Sequence, residues 1–309
     1  MMAVNQVAVD VGYGYVKAVN GERKAVFPAA LAPVDEGLGD TLGKRETIRI
    51  NGDAYVVGRA ALDAGAIASW QTGEEGVRRD YPLLIGAALA ALHAPPGSLD
   101  LLVGLPLASY TTDRQILRDA LRDKTLKVNG TLYHIADAQV FPQGVGAYAA
   151  AMEDEPDLRY RPVGVIDIGY RTTDYLIIRH DDHRRAQPIL WGTADVGGQS
   201  VASSCAQLLA RQGVRVSLAQ IERALETGQS LWLRGQEVPL PVDTARAQVA
   251  AAIANTVQHA WREEMDTLAA ILVTGGAGAA LADHFPWPHV RVPKDPLFAN
   301  ARGYLLLAA

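Results

Sequence analysis

Residues Gln6–Val19 read QVAVDVGYGYVKAV, and residues Pro162–Arg179 read PVGVIDIGYRTTDYLIIR. In the first, apolar residues alternate around a Gly12-Tyr13-Gly14 turn, with Asp10 at the end of the leading strand. In the second, an apolar strand ends in Asp167-Ile168-Gly169, turns, and returns over Asp174–Arg179. Apolar runs interrupted by a short glycine-bearing turn predict a β-hairpin. Two such hairpins, each with an aspartate at a strand end and lying half a chain apart, predict two α/β halves built to one plan. The repeat is one of organisation, not of residues.

The sequence around each hairpin fills in its half. After the first, Ala25–Leu31, Thr47–Ile50 and Ala54–Val57 read as strands, with Asn51-Gly52-Asp53 as a tight turn and Asp35–Lys44 as a mobile loop. Tyr81–His93 is apolar at helical spacing and stops before Pro95-Pro96-Gly97, ahead of a buried strand over Leu99–Leu105. Thr112 followed by Gln115 reads as a capping box that opens a helix to about Lys124. Thr131–Ile135 and Ala138–Phe141 read as two strands and Gly144–Met152 as a helix. The polar, proline-bearing stretch Glu153–Arg161 is the candidate hinge. In the second half, Ala186–Trp191 is a third strand and Ser200–Gln212 a striped helix, and Ser217 with Gln220 caps another helix. A long amphipathic helix over Thr244–Leu268 follows, with Val249, Ile253, Val257, Trp261 and Met265 on one stripe, and it feeds the strand Ala269–Val273.

At 309 residues, two compact units are the first expectation. With 49% hydrophobic and 20% charged residues, the composition is that of an ordinary globular protein and excludes pervasive disorder. A formal charge of −5 gives no general attraction to nucleic acid or an anionic membrane, so any DNA contact needs an adaptor or a local basic patch. One cysteine, Cys205, excludes a disulfide framework and a cysteine-based zinc site. No opening segment reads as a leader and no apolar run is long enough to cross a bilayer, so a soluble, cytoplasmic protein is expected.

Three glycine turns carry the chemistry. In Asp10-Val11-Gly12-Tyr13-Gly14, glycine permits positive φ and brings backbone amides close to a phosphate. Lys17 on the return strand adds a compact positive charge, and Asp10 suits a magnesium ion that keeps its water shell. Asp167 with Gly169, Tyr170, Arg171 and Thr172 repeats the carboxylate-then-glycine order and adds hydroxyls. Thr274-Gly275-Gly276-Ala277-Gly278 follows an apolar strand and precedes an alanine-rich segment. There glycine permits close approach to a base or ribose, and a helix N-terminus favours negative charge. Each turn alone is ordinary. The two hairpins, in consecutive halves, can close on one polyphosphate from both sides.

Five segments extend the pattern over nearly the whole chain: AVDVGYGYVKAV, Val103-Gly104-Leu105-Pro106, Phe141-Pro142-Gln143-Gly144-Val145-Gly146-Ala147, IDIGYRTTDYLII and Pro296-Leu297-Phe298-Ala299-Asn300-Ala301-Arg302-Gly303-Tyr304. Together they resemble the plasmid-segregation actins of the ParM/StbA type, especially their archaeal-like branch. The resemblance implies the actin / Hsp70 / sugar-kinase fold, with two RNase H-like domains flanking a nucleotide cleft. Domain I would span residues 1–155, with an insertion about 33–62 and the C-terminal helix 296–309 packing back on it. Domain II would span 156–295, with a helical insertion about 199–268. It implies an ATP hydrolase that uses Mg2+ and ATP/ADP, polymerises with copies of itself, and works with a DNA-bound adaptor. Gln143 matches the residue that positions the attacking water, Asp10 and Asp167 the two metal-site carboxylates, and Lys17 the phosphate lysine. Tyr13 stands where conventional actins place a serine toward the terminal phosphate, which leaves its sensing to the backbone. Gly275, Gly276, Ala277 and Glu222 match segments that line the adenosine pocket.

Other features have plainer readings. His180 and His183 sit with Asp181, Asp182, Arg184 and Arg185 on a charged turn that suits solvent better than a metal. Trp232 and Trp261 read as core or interface packing, and Cys205 as a small buried apolar residue. The rival functions on the same fold are a small-molecule phosphotransferase, for which no substrate-side catalytic aspartate is evident, and a nucleotide-dependent clamp or scaffold, for which no peptide-binding domain is evident.

Overall fold

The computed structural model describes residues 5–34, 47–64 and 74–309, with the side chains of 74–78 excepted. The loop expected over Asp35–Lys44 lies outside these residues. The chain divides into two compact units, Met1–Asp154 with Leu297–Ala309, and Glu155–Pro296.

In the first unit, β1 (Asn5–Val11) and β2 (Tyr15–Val19) form the expected hairpin. The run expected as one strand over Ala25–Leu31 divides into β3 (Lys24–Pro28) and β4 (Leu31–Pro33). Next come β5 (Thr47–Ile50), β6 (Asp53–Val57), the short α1 (Arg59–Asp63) and α2 (Glu74–Ala91). Helix α2 begins well before Tyr81 and carries Pro82 inside it, where the missing N–H removes one helical bond without ending the helix. Strand β7 (Gly97–Leu105) leads directly into α3 (Leu107–Leu121), so Thr112 is not a cap. Its hydroxyl donates to the Ser109 carbonyl, and Gln115 donates to Asp119. The residues expected to end that helix open β8 (Lys124–Val128) instead, where Leu126 and Val128 alternate inward. Strand β9 (Thr131–Pro142) is continuous where two strands were expected. Its pairing with β7 slips by one residue, from Leu99↔Ile135 to Asp100↔Asp137, and the extra residue Ala136 imitates a break in the sequence pattern. Helix α4 (Val145–Asp154) closes this part.

The second unit opens with the hairpin β10 (Val163–Ile168) and β11 (Thr173–His180), followed by β12 (Ala186–Ala194). Helices α5 (Gly198–Arg211) and α6 (Leu218–Thr227) come next, and the Ser217–Gln220 capping box forms as expected. A small hairpin, β13 (Leu231–Leu233) and β14 (Gln236–Val238), precedes α7 (Val242–Trp261). Helix α7 ends at Trp261, and a 3-10 turn carries the chain to β15 (Ala270–Thr274). Helix α8 (Gly278–Leu281) and β16 (Val290–Arg291) complete the unit. The chain then returns to the first unit as α9 (Ala299–Ala308).

Sheet order shows the repeated plan. Among the described residues, the first sheet runs β3-β2-β1-β7-β9 before its additional strands β8-β5-β6-β4, and the second runs β12-β11-β10-β15-β16. In each, three antiparallel strands are followed by two parallel ones. A parallel neighbour needs a crossover, and the helices between β9 or β15 and their partners supply the cover that parallel strands require. Each unit has its own core. One is built on Val7, Val9, Tyr81, Ile85, Leu101 and Val103, the other on Ile166, Ile168, Ile253, Val257, Trp261 and Ile271. The stripe expected on α7 is buried throughout, Trp261 completely. Trp232 is instead 63% exposed on the β13–β14 hairpin, so the core reading does not hold for it. Cys205 is fully buried, and burial pushes its thiol up from the ordinary value.

Helix α9 packs on α4 with almost no space between the backbones. A Cβ at Gly303 would lie 1.7 Å from the Gly146 carbonyl oxygen, and one at Gly146 would lie 2.6 Å from that of Asn300. Tyr304, buried beside Gly104 and stacked 5.3 Å from Phe141, fills the remaining space. Gly303→Ala should therefore separate the two helices and lower the unfolding free energy by about 3 kcal/mol. Urea unfolding measures this, and a loss near zero would show that the helices do not approach so closely.

Candidate nucleotide site

In the first unit, the register of β1 on β2 sets Asp10 opposite Lys17. Both are buried, at 3% and 8% exposure, and the Lys17 ammonium lies 3.0 Å from Asp10 Oδ2. Gln143, directly after β9, donates from Nε2 to Asp10 Oδ1 at 2.7 Å. Only the amide nitrogen of Gln143 can donate to a carboxylate, which leaves Oε1 as an acceptor. A single buried carboxylate thus gathers a cation and an amide, one on each oxygen. Tyr81, fully buried, donates to the Gly104 carbonyl, and burial, reinforced by Asp10, Tyr13 and Asp113, pushes its phenol well above the ordinary range.

The turn itself differs from the expectation. None of Gly12, Gly14 and Gly169 has a positive φ. The Gly12 amide donates to the Tyr15 carbonyl and the Gly169 amide to the Thr172 carbonyl, so each closes its own turn. Glycine at 12 leaves room for its neighbours: a Cβ there would lie 3.0 Å from the Lys17 ammonium and 3.2 Å from the Tyr15 carbonyl oxygen.

In the second unit, Asp167 faces Asp174 across β10 and β11, where the first unit has Asp10 facing Lys17. The Thr193 hydroxyl donates to Asp174. Gly275, at φ 87°, lies so close to Asp167 that a Cβ would sit 2.4 Å from Oδ1 and 2.5 Å from the Ile168 carbonyl oxygen. Only glycine combines that φ with that space. The Gly275–Ala277 turn is therefore seated on the Asp167 turn, and the Ala277 amide donates to the Ile168 carbonyl. Helix α8 has only four residues, and its Gly278 amide donates to the Gly275 carbonyl, so it offers little helix dipole there.

Tyr170 donates its hydroxyl to Glu222 on α6 at 2.5 Å. Burial first, and then this carboxylate, raise the Tyr170 phenol well above its ordinary value. Glu222 is thus tied to the glycine turn. Arg171 is exposed and Thr172 half-buried.

Sequence reasoning missed two contributors. Gly197 and Gly198 at the start of α5 lie against the turn: the Gly198 amide donates to the Gly169 carbonyl and the Gln199 amide to that of Tyr170. A Cβ at Gly197 would lie 2.7 Å from the Tyr170 carbonyl oxygen. Paired glycines directly before a striped helix were the available signal. The second is Asn300, whose side chain receives the Gly144 and Ala147 amides and for which no local signal existed. On the charged turn, Asp181 accepts from the His183 and Arg185 amides, and Arg184 lies 5.0 Å over the Tyr160 ring. No cluster of three or more His, Cys, Asp or Glu suited to a metal occurs among the described residues.

Two halves of one strand plan, each with a buried aspartate ahead of a closed turn, define a duplicated α/β protein of actin-like fold. Residues 8–146 match the family of actin-like proteins, N-terminal domain, and residues 165–286 match the archaeal actin homologue MreB-like C-terminal family. A 15-stranded ParM filament from Clostridium botulinum superimposes with a TM-score of 0.80 at 22% identity, over 99% of both chains. An archaeal actin homolog does so at 0.79 and 23%, and its complex with ADP at 0.75 and 22%, again over 99% of both chains. No curated protein sequence matches. The chain belongs to the actin-like proteins, with an actin-like N-terminal and an archaeal MreB-like C-terminal domain. Among the described residues, no helix is long and apolar enough to cross a membrane.

Removing the cation from the first hairpin leaves a buried carboxylate with one fewer partner. Lys17→Met should lower stability by about 3 kcal/mol, and adding Asp10→Asn should restore much of that loss. Urea unfolding of the two single variants and the double variant checks this; additive losses would mean that the pair is not coupled.

Proposed function

We propose that this protein is an ATP hydrolase that binds ATP with Mg2+ through both glycine turns and polymerises with copies of itself. The observation that carries the reading is the convergence of Lys17 and Gln143 on the two oxygens of Asp10. An ammonium carries three donors, and Asp10 takes one, so Lys17 can also address phosphate oxygens. With its amide nitrogen held by Asp10, Gln143 presents Oε1 as an acceptor that orients a water in line with the terminal phosphate. A neutral amide is a weak base, so its contribution is orientation. Phosphoryl transfer of this kind demands positioning and charge neutralisation more than covalent chemistry.

The residues fit a magnesium ion that arrives with the substrate. Both oxygens of Asp10 already have partners, which suits contact through the ion's water shell; Asp167 would contribute in the same way. Bound there, the ion would neutralise charge on the phosphate oxygens. With Gly12 and Gly169 committed to their turns, the amides of Tyr13, Gly14, Tyr170, Arg171 and Thr172 are the proposed phosphate donors. The close seating of Gly275 on Asp167 would bring the Gly275–Ala277 turn, the proposed nucleoside platform, beside the phosphates. The solved ADP complex of the archaeal homolog supports a nucleotide ligand, and the ParM filament supports self-association. The net charge of −5 favours a DNA-binding adaptor over direct DNA contact in any role in plasmid segregation in the cytoplasm.

Gln143→Ala should still bind a fluorescent ATP analogue with Mg2+ but release phosphate roughly a hundredfold more slowly. The unaltered protein should pellet on ultracentrifugation with ATP and Mg2+. Undiminished phosphate release by a nucleotide-bound Gln143→Ala would remove Gln143 from the mechanism, and a protein that neither binds nor hydrolyses ATP would remove the function.

A further inference from the structure

Gln143 is fixed from two directions. Behind it, its own amide donates to the Leu105 carbonyl at the end of β7. Ahead of it, Gly144 begins α4: its carbonyl accepts the first helical bond, from the Tyr148 amide at 2.9 Å. The first amides of a helix have no partner within it, and the usual remedy is a Ser, Thr, Asp or Asn side chain at the residue where Gly144 stands. That remedy is closed here, because φ at 144 is 81°, a conformation that selects glycine.

Asn300 supplies the missing side chain from the other end of the sequence. Its Oδ1 accepts from the Gly144 amide at 2.9 Å and from the Ala147 amide at 3.1 Å. These are the two amides, that of the capping residue and that three residues on, which a capping box satisfies from within one helix. Asn300 is 5% exposed, on the first turn of α9, and α9 is pressed backbone to backbone against α4 at Gly146 and Gly303. The acceptor cannot drift without separating the helices.

We propose that Asn300 is a positioning residue for hydrolysis: it fixes the Gly144 turn and, through it, the direction from which Gln143 reaches Asp10. This rests on the reading of Gln143 as the water-orienting group. Four residues upstream, the Pro296 carbonyl accepts from the Thr274 hydroxyl and the Gly275 amide.

The test is a double-mutant cycle on steady-state Mg2+–ATP hydrolysis, with Kd for a fluorescent ATP analogue measured separately. Asn300→Ala should lower kcat roughly ten- to a hundredfold with Kd and KM within about a factor of two. Asn300→Asp, which keeps an oxygen in place, should recover most of the rate. Gln143→Ala with Asn300→Ala should be no slower than Gln143→Ala alone, since residues that act as one unit are not additive. If Asn300→Ala does not fold, Asn300→Ser, whose shorter side chain cannot hold both amides, takes its place with the same expectation. An unchanged kcat in a folded variant, a loss confined to KM, or multiplicative losses in the double variant would each overturn the proposal. The outcomes also separate the two readings. Slow Gln143→Ala with fast Asn300→Ala removes the positioning role alone, whereas fast Gln143→Ala removes both.

Discussion

The buried ion pair between Lys17 and Asp10 is the constraint around which the first unit is organised. Placing two charges under 10% exposed costs desolvation energy that is recovered only with good geometry and further hydrogen bonds. Antiparallel pairing sets the two residues opposite each other, and the Gly12 amide closes the turn that brings the strands together. Gln143 supplies the further bond from the end of β9, two strands away in the same sheet. Within the order β2-β1-β7-β9, strand β2 and the end of β9 thus supply the two partners of Asp10.

The second unit keeps the geometry and changes the charges. At the position of Lys17 it has Asp174, so two carboxylates face each other where the first unit has a cation and an anion. Like charges opposite each other on a sheet are unfavourable unless donors or cations compensate. The Thr193 hydroxyl is one such donor, and a ligand carrying its own cation would add to it. The first hairpin thus carries a cation beside its carboxylate, and the second carries two carboxylates.

What was legible in the sequence followed from local pattern. The hairpins, the parallel strands β7, β10 and β15 and the Ser217–Gln220 cap each reside in a few consecutive residues, and the fold class follows from their order. The misreadings arose where a local pattern had two meanings. Thr112-x-x-Gln115 has the spacing of a cap but lies inside α3, because the strand before it runs straight into the helix at Pro106. The bulge at Ala136 imitated a strand break. The apolar spacing that marks the helix from Tyr81 does not reach its polar first turns, which begin at Glu74.

The glycines of the site show most sharply where sequence reasoning stops. A glycine in a turn suggests positive φ, yet Gly12 and Gly169 have none; Gly12 makes room for a lysine head, and the Gly169 amide closes its turn. Gly144 and Gly275 do require positive φ, and each brings a cost that must be met from outside its own segment. At Gly275 the neighbour is the Asp167 carboxylate, in the same unit but more than a hundred residues away in sequence. At Gly144 the missing cap is met by Asn300, more than a hundred and fifty residues away. A local window can identify a position that needs glycine, but it cannot identify the residue that compensates for it. Asn300 reaches Gly144 only because the chain returns into the first unit, a consequence of topology that no spacing rule within either hairpin encodes.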